Sequence, residues 1–252
     1  MSIPKIIHQV WVGDFFDEQL VIYASEVSLY CEINGYDYYF WNLNRSGDEL
    51  FVKHDLSYGL CKISDLNKNN TVLEMIKDEK LPAVIKADIL RFMILERLGG
   101  FYVDVDMIIL KPLEGFLQME YVCGHEKWTN LVCTGFLGSP SGSLVNTEAI
   151  CSIVHSYEKV KIENRYPENV DEVILFSGPA MFTELIKKFP YIEPFPVETF
   201  HACPVPELKK QFTLHYFAGS KKGGWAGDGC KGKKCSICEN RKECSIILEE
   251  RK

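Results

Sequence analysis

The chain contains two pairs of charged residues whose types and spacing suit a shared site. Asp88 and Arg91 lie three positions apart in a strongly apolar segment, and Asp104 and Asp106 follow shortly after it. Carboxylates in apolar surroundings are costly to bury unless another charge compensates them. A divalent metal ion that carries a diphosphate would supply this compensation, because Mn²⁺ and Mg²⁺ prefer oxygen ligands.

The first pair lies on a predicted helix. Residues 82–98 are apolar around most of the helix surface, which predicts a helix that is buried on most sides. Gly99-Gly100 ends it, because glycine readily adopts the left-handed conformation that closes a helix. Asp88 and Arg91 are neighbours on one face of this helix. A plain surface ion pair, which would contribute only about 0.3–0.5 kcal/mol, is the alternative, but the apolar surroundings favour a functional pair.

The second pair follows a predicted strand. Residues 101–105 are aromatic or β-branched apart from one aspartate, which predicts a buried strand. Side chains alternate along a strand, so Asp104 and Asp106 point the same way. An isolated Asp-X-Asp triplet is common by chance, and a solvated strand end is the alternative interpretation. The preceding helix and glycine pair favour a site shared with Asp88 and Arg91.

Three parts of the chain resemble one group of enzymes. Residues 86–110 resemble the sugar-binding DXD region of retaining glycosyltransferases, most closely glycosyltransferase family 32. The glucosylating domains of large clostridial toxins share this layout. The opening segment, residues 3–13 (IPKIIHQVWVG), and the late segment, residues 215–225, are similar to the same enzymes. The resemblance implies a GT-A fold, which is an α/β nucleotide-binding sandwich with a mostly parallel sheet and helices on both faces.

The resemblance also implies roles in binding a nucleotide-sugar donor. Trp11, next to Val10 at the end of the first strand, stacks on the base, commonly uracil. Stacking on a large rigid ring is physically reasonable, although a core tryptophan is the alternative. Asp88 and Arg91 bind the sugar hydroxyls and the phosphate side of the donor. Asp104 contacts the ribose or the sugar.

A second set of implied roles concerns the metal ion and the diphosphate. Asp106 binds Mn²⁺ or Mg²⁺, and His215 reaches the same ion, although an ordinary strand histidine is the alternative. Ser220 and Trp225 contact the diphosphate. Four residues, Lys-Lys-Gly-Gly, separate Ser220 from Trp225, which departs from the family pattern. These lysines and glycines are an alternative phosphate-binding loop.

Length and composition place the chain among ordinary globular proteins. Its 252 residues, of which 46% are hydrophobic and 25% charged, predict one large α/β domain. The net charge of -7 argues against a nucleic-acid partner. The sequence shows neither a signal peptide nor a transmembrane segment, which suggests a cytoplasmic protein of bacterial or viral type. The oligomeric state is not predicted.

Strands and helices alternate along the chain, which predicts a largely parallel sheet. The predicted strands or extended segments are residues 5–12, 35–41, 121–124, 132–137, 192–200 and 212–217, in addition to the strand from Phe101. The predicted helices, besides 82–98, are residues 17–33, 48–53, 71–80, 143–160 and 177–189.

The cysteines fall into two groups. Cys31, Cys61, Cys123, Cys133, Cys151 and Cys203 have no ligand-like spacing and are interpreted as small buried residues. Residues 226–252 form a predicted tail that is separate from a catalytic domain of residues 1–225. Its four cysteines favour a structural zinc site over disulfides or free thiols, and they are Cys230, Cys235, Cys238 and Cys244. Residues 221–252 hold nine Lys/Arg and five Asp/Glu, so this end of the chain is basic.

Acceptor-side groups are less well defined by the sequence. Ser177-Gly178-Pro179 resembles a Thr-Gly-Pro turn of the family, but a helix start explains it equally well. His125, Glu126 and Asp171 are further candidates, and no pattern chooses among them.

The residue pattern and the resemblance together therefore predict a metal-dependent glycosyltransferase, and the resemblance implies that it retains the anomeric configuration. Its donor is a nucleotide sugar, with a UDP-sugar favoured, and its acceptor is a glycan or another hydroxyl compound. One alternative is an inactive protein that binds nucleotide sugars or acts as an adaptor through its cysteine-rich tail. Another is a metal-dependent phosphoryl or nucleotidyl transferase. A phosphatase of the haloacid-dehalogenase type is disfavoured, because its Asp-X-Asp would follow the first strand and precede a threonine.

Overall fold

A six-stranded sheet forms the centre of the protein. The computed structural model describes residues 2–13, 18–43, 49–54, 57–126, 129–200 and 211–215. The strands, in order across the sheet, are β4 (Ser57–Lys62), β3 (Glu49–His54), β2 (Asp37–Leu43), β1 (Ile6–Val12), β5 (Gly100–Val103) and β7 (Phe136–Ser139). A second, two-stranded sheet pairs β6 (Met107–Ile109) with β8 (Thr213–His215).

The sheet has a parallel centre and antiparallel edges. Strands β2, β1 and β5 run parallel, with Ile7 opposite both Tyr38 and Phe101. The hairpin β3–β4 extends one edge in the antiparallel direction, and β7 extends the other. The carboxyl ends of the three central strands therefore meet at one edge of the sheet, where open α/β sheets bind their ligands.

Helices cover both faces of the sheet. They are α1 (Glu18–Asn34), α2 (Ile63–Leu66), α3 (Asn70–Lys77), α4 (Ala83–Leu98), α5 (Leu144–Glu163), α6 (Val170–Phe176), α7 (Pro179–Ile186) and α8 (Val197–Phe200). Side chains of β5 alternate between two cores, since Tyr102 packs with α4 and α5 while Phe101 and Val103 pack with α1. The predicted α/β sandwich is therefore confirmed. None of the described helices is long and apolar enough to cross a membrane.

The glycine pair turns the chain from α4 into β5. Gly99 and Gly100 have positive φ angles of 68° and 99°, as glycine allows, but Gly99 has a ψ of -165°, so the helix ends in an extended conformation and not in the predicted left-handed one. A Cβ atom at Gly99 would lie 2.5 Å from the backbone nitrogen of Ser141, and one at Gly100 would lie 2.6 Å from the carbonyl oxygen of Ile6. Only glycine fits at either position, so the pair fixes how α4 packs on the sheet.

Four predicted elements were wrong in whole or in part. The predicted strand 132–137 is a strand only in its last two residues, where β7 begins at Phe136. A helix was predicted over residues 48–53, but residues 49–53 lie in strand β3, because a short run of β-forming residues gains backbone hydrogen bonds from both β2 and β4. Residues 121–124, predicted as a strand, make only isolated bridges, of Val122 with Gly138 and Gly124 with Phe195. The last part of the predicted extended segment 192–200 is the short helix α8.

The cysteines of the described residues are partly as predicted. Cys31, Cys123 and Cys133 are buried, which confirms their interpretation as small core residues. Cys151 is exposed, because α5 buries the neighbouring Ala149, Ile150, Ile153 and Val154 and leaves this position on its outer face. The predicted zinc ligands, Cys230, Cys235, Cys238 and Cys244, lie outside the described residues, as does the predicted tail.

Candidate functional site

A tight turn after β5 presents the two aspartates. The Asp104 backbone N–H donates to the carbonyl oxygen of Gly135 at 2.8 Å. The Asp104 carbonyl oxygen accepts from Met107 N–H at 3.0 Å and from Gln9 Nε2 at 3.1 Å. Asp104 and Asp106 thus lie in the turn between β5 and β6, rather than on one strand as predicted. Hydrogen bonds with Gly135, Met107 and Gln9 hold the backbone of this turn, which keeps the two aspartates close together.

His215 joins the aspartates through the small sheet. It pairs with Met107 in the register of β6 and β8, and its Nε2 lies 3.1 Å from Oδ1 of Asp106. Three potential ligand atoms lie within 4.8 Å of one another, one each from Asp104, Asp106 and His215. Two carboxylates and an imidazole at this spacing suit a divalent metal ion whose other positions are filled by phosphate oxygens or water.

Asp88 and Arg91 form a buried ion pair behind this cluster. Their side chains are 4% and 6% exposed, and Arg91 Nη2 lies 2.7 Å from Oδ1 of Asp88. Arg91 Nη1 donates to the carbonyl oxygen of Thr134 at 2.5 Å and lies 3.4 Å from Oδ1 of Asp104. The guanidinium also sits over the ring of Tyr102, 4.5 Å from its centroid. The alternative of a solvated surface pair is therefore wrong, and the predicted convergence of Asp88, Arg91 and Asp104 is observed.

Tyr102 is a member of this network that the sequence interpretation missed. Its hydroxyl donates to Oδ1 of Asp104 at 2.8 Å, so this carboxylate oxygen has two partners within the protein. The other oxygen, Oδ2, lies against Gly135, where a Cβ atom would stand 2.6 Å away. The alternation of β5, which places Tyr102 and Asp104 on one side, was a usable signal. No sequence pattern pointed to the Thr134 carbonyl or to the Gln9 amide.

Burial and charge shift the pKa values of the site in opposing directions. Burial raises the pKa of Asp88 to about 6, against the lowering effects of Arg91 and Ser177, so this carboxyl remains ionised at neutral pH. Burial acts to lower the pKa of His215, but the carboxylates of Asp106, Asp104 and Glu126 outweigh it and raise this pKa. The cluster therefore attracts positive charge.

The remaining predicted donor-binding residues lie in different surroundings. Trp11 is partly buried and packs against Leu20, Tyr23 and Ile108. Val10 is 4% exposed, and its side chain belongs to the core beneath α4. Ser220 and Trp225 lie outside the described residues.

The acceptor-side candidates are scattered. Ser177 is fully buried, and its hydroxyl donates to Oδ2 of Asp88 at 2.6 Å. Glu126 is partly buried and close enough to His215 to influence its pKa, and its own pKa is raised by burial. His125 contacts the carbonyl oxygen of Asn130 through Nδ1. Asp171 is exposed in the first turn of α6.

The chain is similar in sequence to a glycosyltransferase family and to individual glycosyltransferases. Residues 19–126 match the family described as "Glycosyltransferase sugar-binding region containing DXD motif". The chain is 33% identical over 152 residues to an uncharacterized glycosyltransferase of Acanthamoeba polyphaga mimivirus, covering 57% of this chain and 51% of the relative. It is 23% identical over 230 residues to the initiation-specific alpha-1,6-mannosyltransferase of Schizosaccharomyces pombe, covering 82% and 54%. The chain thus spans about half the length of these curated relatives.

The fold comparison agrees with the sequence comparison. The solved structure of the PaToxG glycosyltransferase superposes with a TM-score of 0.55 at 17% identity, covering 75% of this chain and 71% of that one. These comparisons support the predicted enzyme class. The resemblance drawn from the sequence is confirmed: the chain is similar, over residues 19–126, to the glycosyltransferase family that contains the DXD motif, and it has a GT-A-type fold.

Proposed function

We propose that this protein is a metal-dependent retaining glycosyltransferase that uses a nucleotide-sugar donor. The observation that carries the proposal is the placement of Asp104, Asp106 and His215 within 4.8 Å of one another, directly in front of Arg91. A metal ion bound at this cluster, together with the adjacent guanidinium, would offset the negative charge of the departing nucleoside diphosphate.

The residues present suit a divalent metal ion with oxygen preference. Asp106 and His215 would hold it, and Asp104 would offer Oδ2, since its Oδ1 is already bonded to Tyr102. Mn²⁺ accepts such a mixed set of carboxylate and imidazole ligands, and Mg²⁺ is the second candidate. When bound, the ion neutralises charge on the diphosphate oxygens.

The protein side chains position the donor. Arg91 is held at three points, so its guanidinium is fixed before the donor arrives. Trp11, at the carboxyl end of β1, is the candidate platform for the base, and a UDP-sugar is the favoured donor. Asp88 holds Arg91 from behind, and the two residues together are the candidates for binding the sugar hydroxyls and the phosphate side of the donor.

The reaction that fits this site needs no protein nucleophile. The bond between the sugar C1 and the diphosphate oxygen breaks while the acceptor hydroxyl oxygen forms a bond to C1 on the same face. The hydroxyl proton passes to a phosphate oxygen of the leaving nucleoside diphosphate. The acceptor is a glycan or another hydroxyl compound that enters beside the cluster.

A donor panel tests this function. UDP-, GDP-, CMP- and dTDP-linked sugars are incubated with the protein and Mn²⁺, and slow donor hydrolysis is measured with and without a chelator. We expect hydrolysis of one donor class that stops when the metal is removed. Asp106→Asn should lower this rate at least about 100-fold, because it removes a charged ligand. Exposed Asp65→Asn, in the first turn of α2, is the matched control and should leave the rate unchanged.

Two results would contradict the proposal. The first is hydrolysis at the full rate by the folded Asp106→Asn variant. The second is the absence of both hydrolysis and metal-dependent binding for every donor, which would favour an inactive binding protein. Retention is tested separately, by the anomeric configuration of the product once an acceptor is found.

A further inference from the structure

The corner between α6 and α7 reaches into the site. Ser177 ends α6, and its N–H donates to the carbonyl oxygen of Val173 at 3.1 Å. Gly178 and Pro179 then begin α7. This backbone directs the Ser177 hydroxyl to Oδ2 of Asp88, at 2.6 Å, across 89 positions of sequence. The turn thus contacts the donor-side network, although the sequence interpretation assigned it to the acceptor side.

Each carboxylate oxygen of Asp88 has a partner within the protein. Oδ1 lies 2.7 Å from Arg91 Nη2, and Oδ2 accepts from Ser177. A buried carboxylate that has a partner on each oxygen is fixed in orientation as well as in position. Because Arg91 is oriented by Asp88, the direction of the guanidinium depends on the Ser177 hydroxyl.

The same corner supports the second partner of Arg91. Thr183, on α7, accepts the Val132 N–H at 2.7 Å through its hydroxyl oxygen. Two residues further on, the Thr134 carbonyl oxygen accepts from Arg91 Nη1 at 2.5 Å. Helices α6 and α7 therefore support two of the three groups that hold the guanidinium, the Asp88 carboxylate and the segment of the Thr134 carbonyl.

We propose that Ser177 is a positioning residue of the donor site, which aligns Arg91 with the donor diphosphate through Asp88. This proposal rests on the proposed function, because it takes the donor to be the group that Arg91 contacts. A purely structural serine would affect folding stability and leave donor binding alone. The two possibilities differ in what happens to the donor KM when the hydroxyl is removed.

The test uses three variants of the full chain. Ser177→Ala removes the hydroxyl, and Ser177→Thr keeps it. Ser139→Ala is the matched control, because Ser139 is also fully buried and accepts a hydrogen bond from Asn146 Nδ2 at 2.8 Å. It lies at the end of β7 that pairs with Gly100, remote from the aspartates. Thermal unfolding of each variant shows how much stability is lost.

We expect Ser177→Ala to raise the donor KM about tenfold, which corresponds to a hydrogen bond to a charged group. Ser177→Thr should restore most of the affinity, and Ser139→Ala should lose stability with an unchanged KM. Equal KM values in the wild type and Ser177→Ala would overturn the proposal. So would equal increases in Ser177→Ala and Ser139→Ala.

A second readout does not depend on catalysis. The pKa of the Asp88 carboxyl can be followed by carbon NMR, with its signal assigned from Asp88→Asn. The charged groups that face Asp88 are Arg91 on its own helix and Asp104 beyond β5. Loss of the Ser177 hydroxyl should raise this pKa above about 6, because the hydroxyl favours the ionised form.

The two readouts separate the possible failures. If the wild type neither binds nor hydrolyses any donor, the proposed function is wrong. The role of Ser177 at a donor site is then wrong as well. If the wild type is active but its Asp88 pKa is the same as that of Ser177→Ala, only the proposed role of Ser177 is wrong.

Discussion

Substitution of Gly135 by alanine tests the geometry of the aspartate cluster most directly. A Cβ atom at this position would stand 2.6 Å from Oδ2 of Asp104, whereas ordinary van der Waals contact begins at 3.4 Å. Gly135 does not have a positive φ angle, so the backbone accepts alanine without strain. The effect of the substitution is therefore confined to the Asp104 carboxylate.

The size of the effect follows from the distance. The carboxylate would have to retreat by about 0.8 Å, which is the difference between ordinary contact and the 2.6 Å approach. Its Oδ1 is bonded to Tyr102 and near Arg91, so a retreat also disturbs these partners. Misplacement of a reacting group by about 1 Å costs on the order of 100-fold in rate. We expect kcat/KM of Gly135→Ala to fall by about 30- to 100-fold.

The assay is metal-dependent donor hydrolysis together with the Mn²⁺ affinity of the free protein. Gly115→Ala is the matched control, because a Cβ atom there meets no other atom within 4 Å. In an Asp104→Ala background, Gly135→Ala should cause no further loss, since the clashing carboxylate is absent. The reasoning is refuted if folded Gly135→Ala retains the wild-type rate and metal affinity, or if its loss persists unchanged without the Asp104 side chain.

Two further predictions concern His8 and Arg91. Burial lowers the pKa of His8 to about 4, so the unfolded state binds a proton more readily between pH 6.5 and 4. Stability should therefore fall by about 3 kcal/mol as pH falls through this window, and His8→Gln, compared with the wild type by urea unfolding at each pH, should lack this loss. Arg91→Lys should lower kcat/KM for donor hydrolysis about 10- to 100-fold, because one ammonium cannot serve both Asp88 and the Thr134 carbonyl.

Each of these predictions has a control on the same protein. Exposed His155→Gln should leave the pH dependence of unfolding as in the wild type. The burial of Asp88 opposes that of His8 in part of this window, so the difference between variant and wild type is the informative quantity. Parallel stability curves for the wild type and His8→Gln would contradict the first prediction. Exposed Arg97→Lys, on the same helix, is the control for Arg91→Lys, and equal rates for the two variants would contradict the second.

Local patterns were sufficient for much of the fold. The apolar helix α4 and its end at the glycine pair were predicted because apolar periodicity and the tolerance of glycine for positive φ angles are local properties of the sequence. The predicted helix 48–53 failed because its residues gain more from pairing with β2 than from helical hydrogen bonds. The pairing is short-range, with Leu43 opposite Leu50, but it depends on a second strand that a helical pattern within residues 48–53 does not reveal.

For the candidate site, too, the sequence was sufficient for one part of the prediction and not for the rest. Types and spacing alone indicated that Asp88, Arg91, Asp104 and Asp106 act together, because buried charges require partners. Their actual partners are the Ser177 hydroxyl, the Tyr102 hydroxyl, the Thr134 carbonyl and the Gly135 backbone, and most of these come from other elements. The sequence by itself thus determined which charges need compensation. Only the tertiary structure decided what compensates them, because packing of α4, β5, β7 and the α6–α7 corner brings together groups up to 89 residues apart.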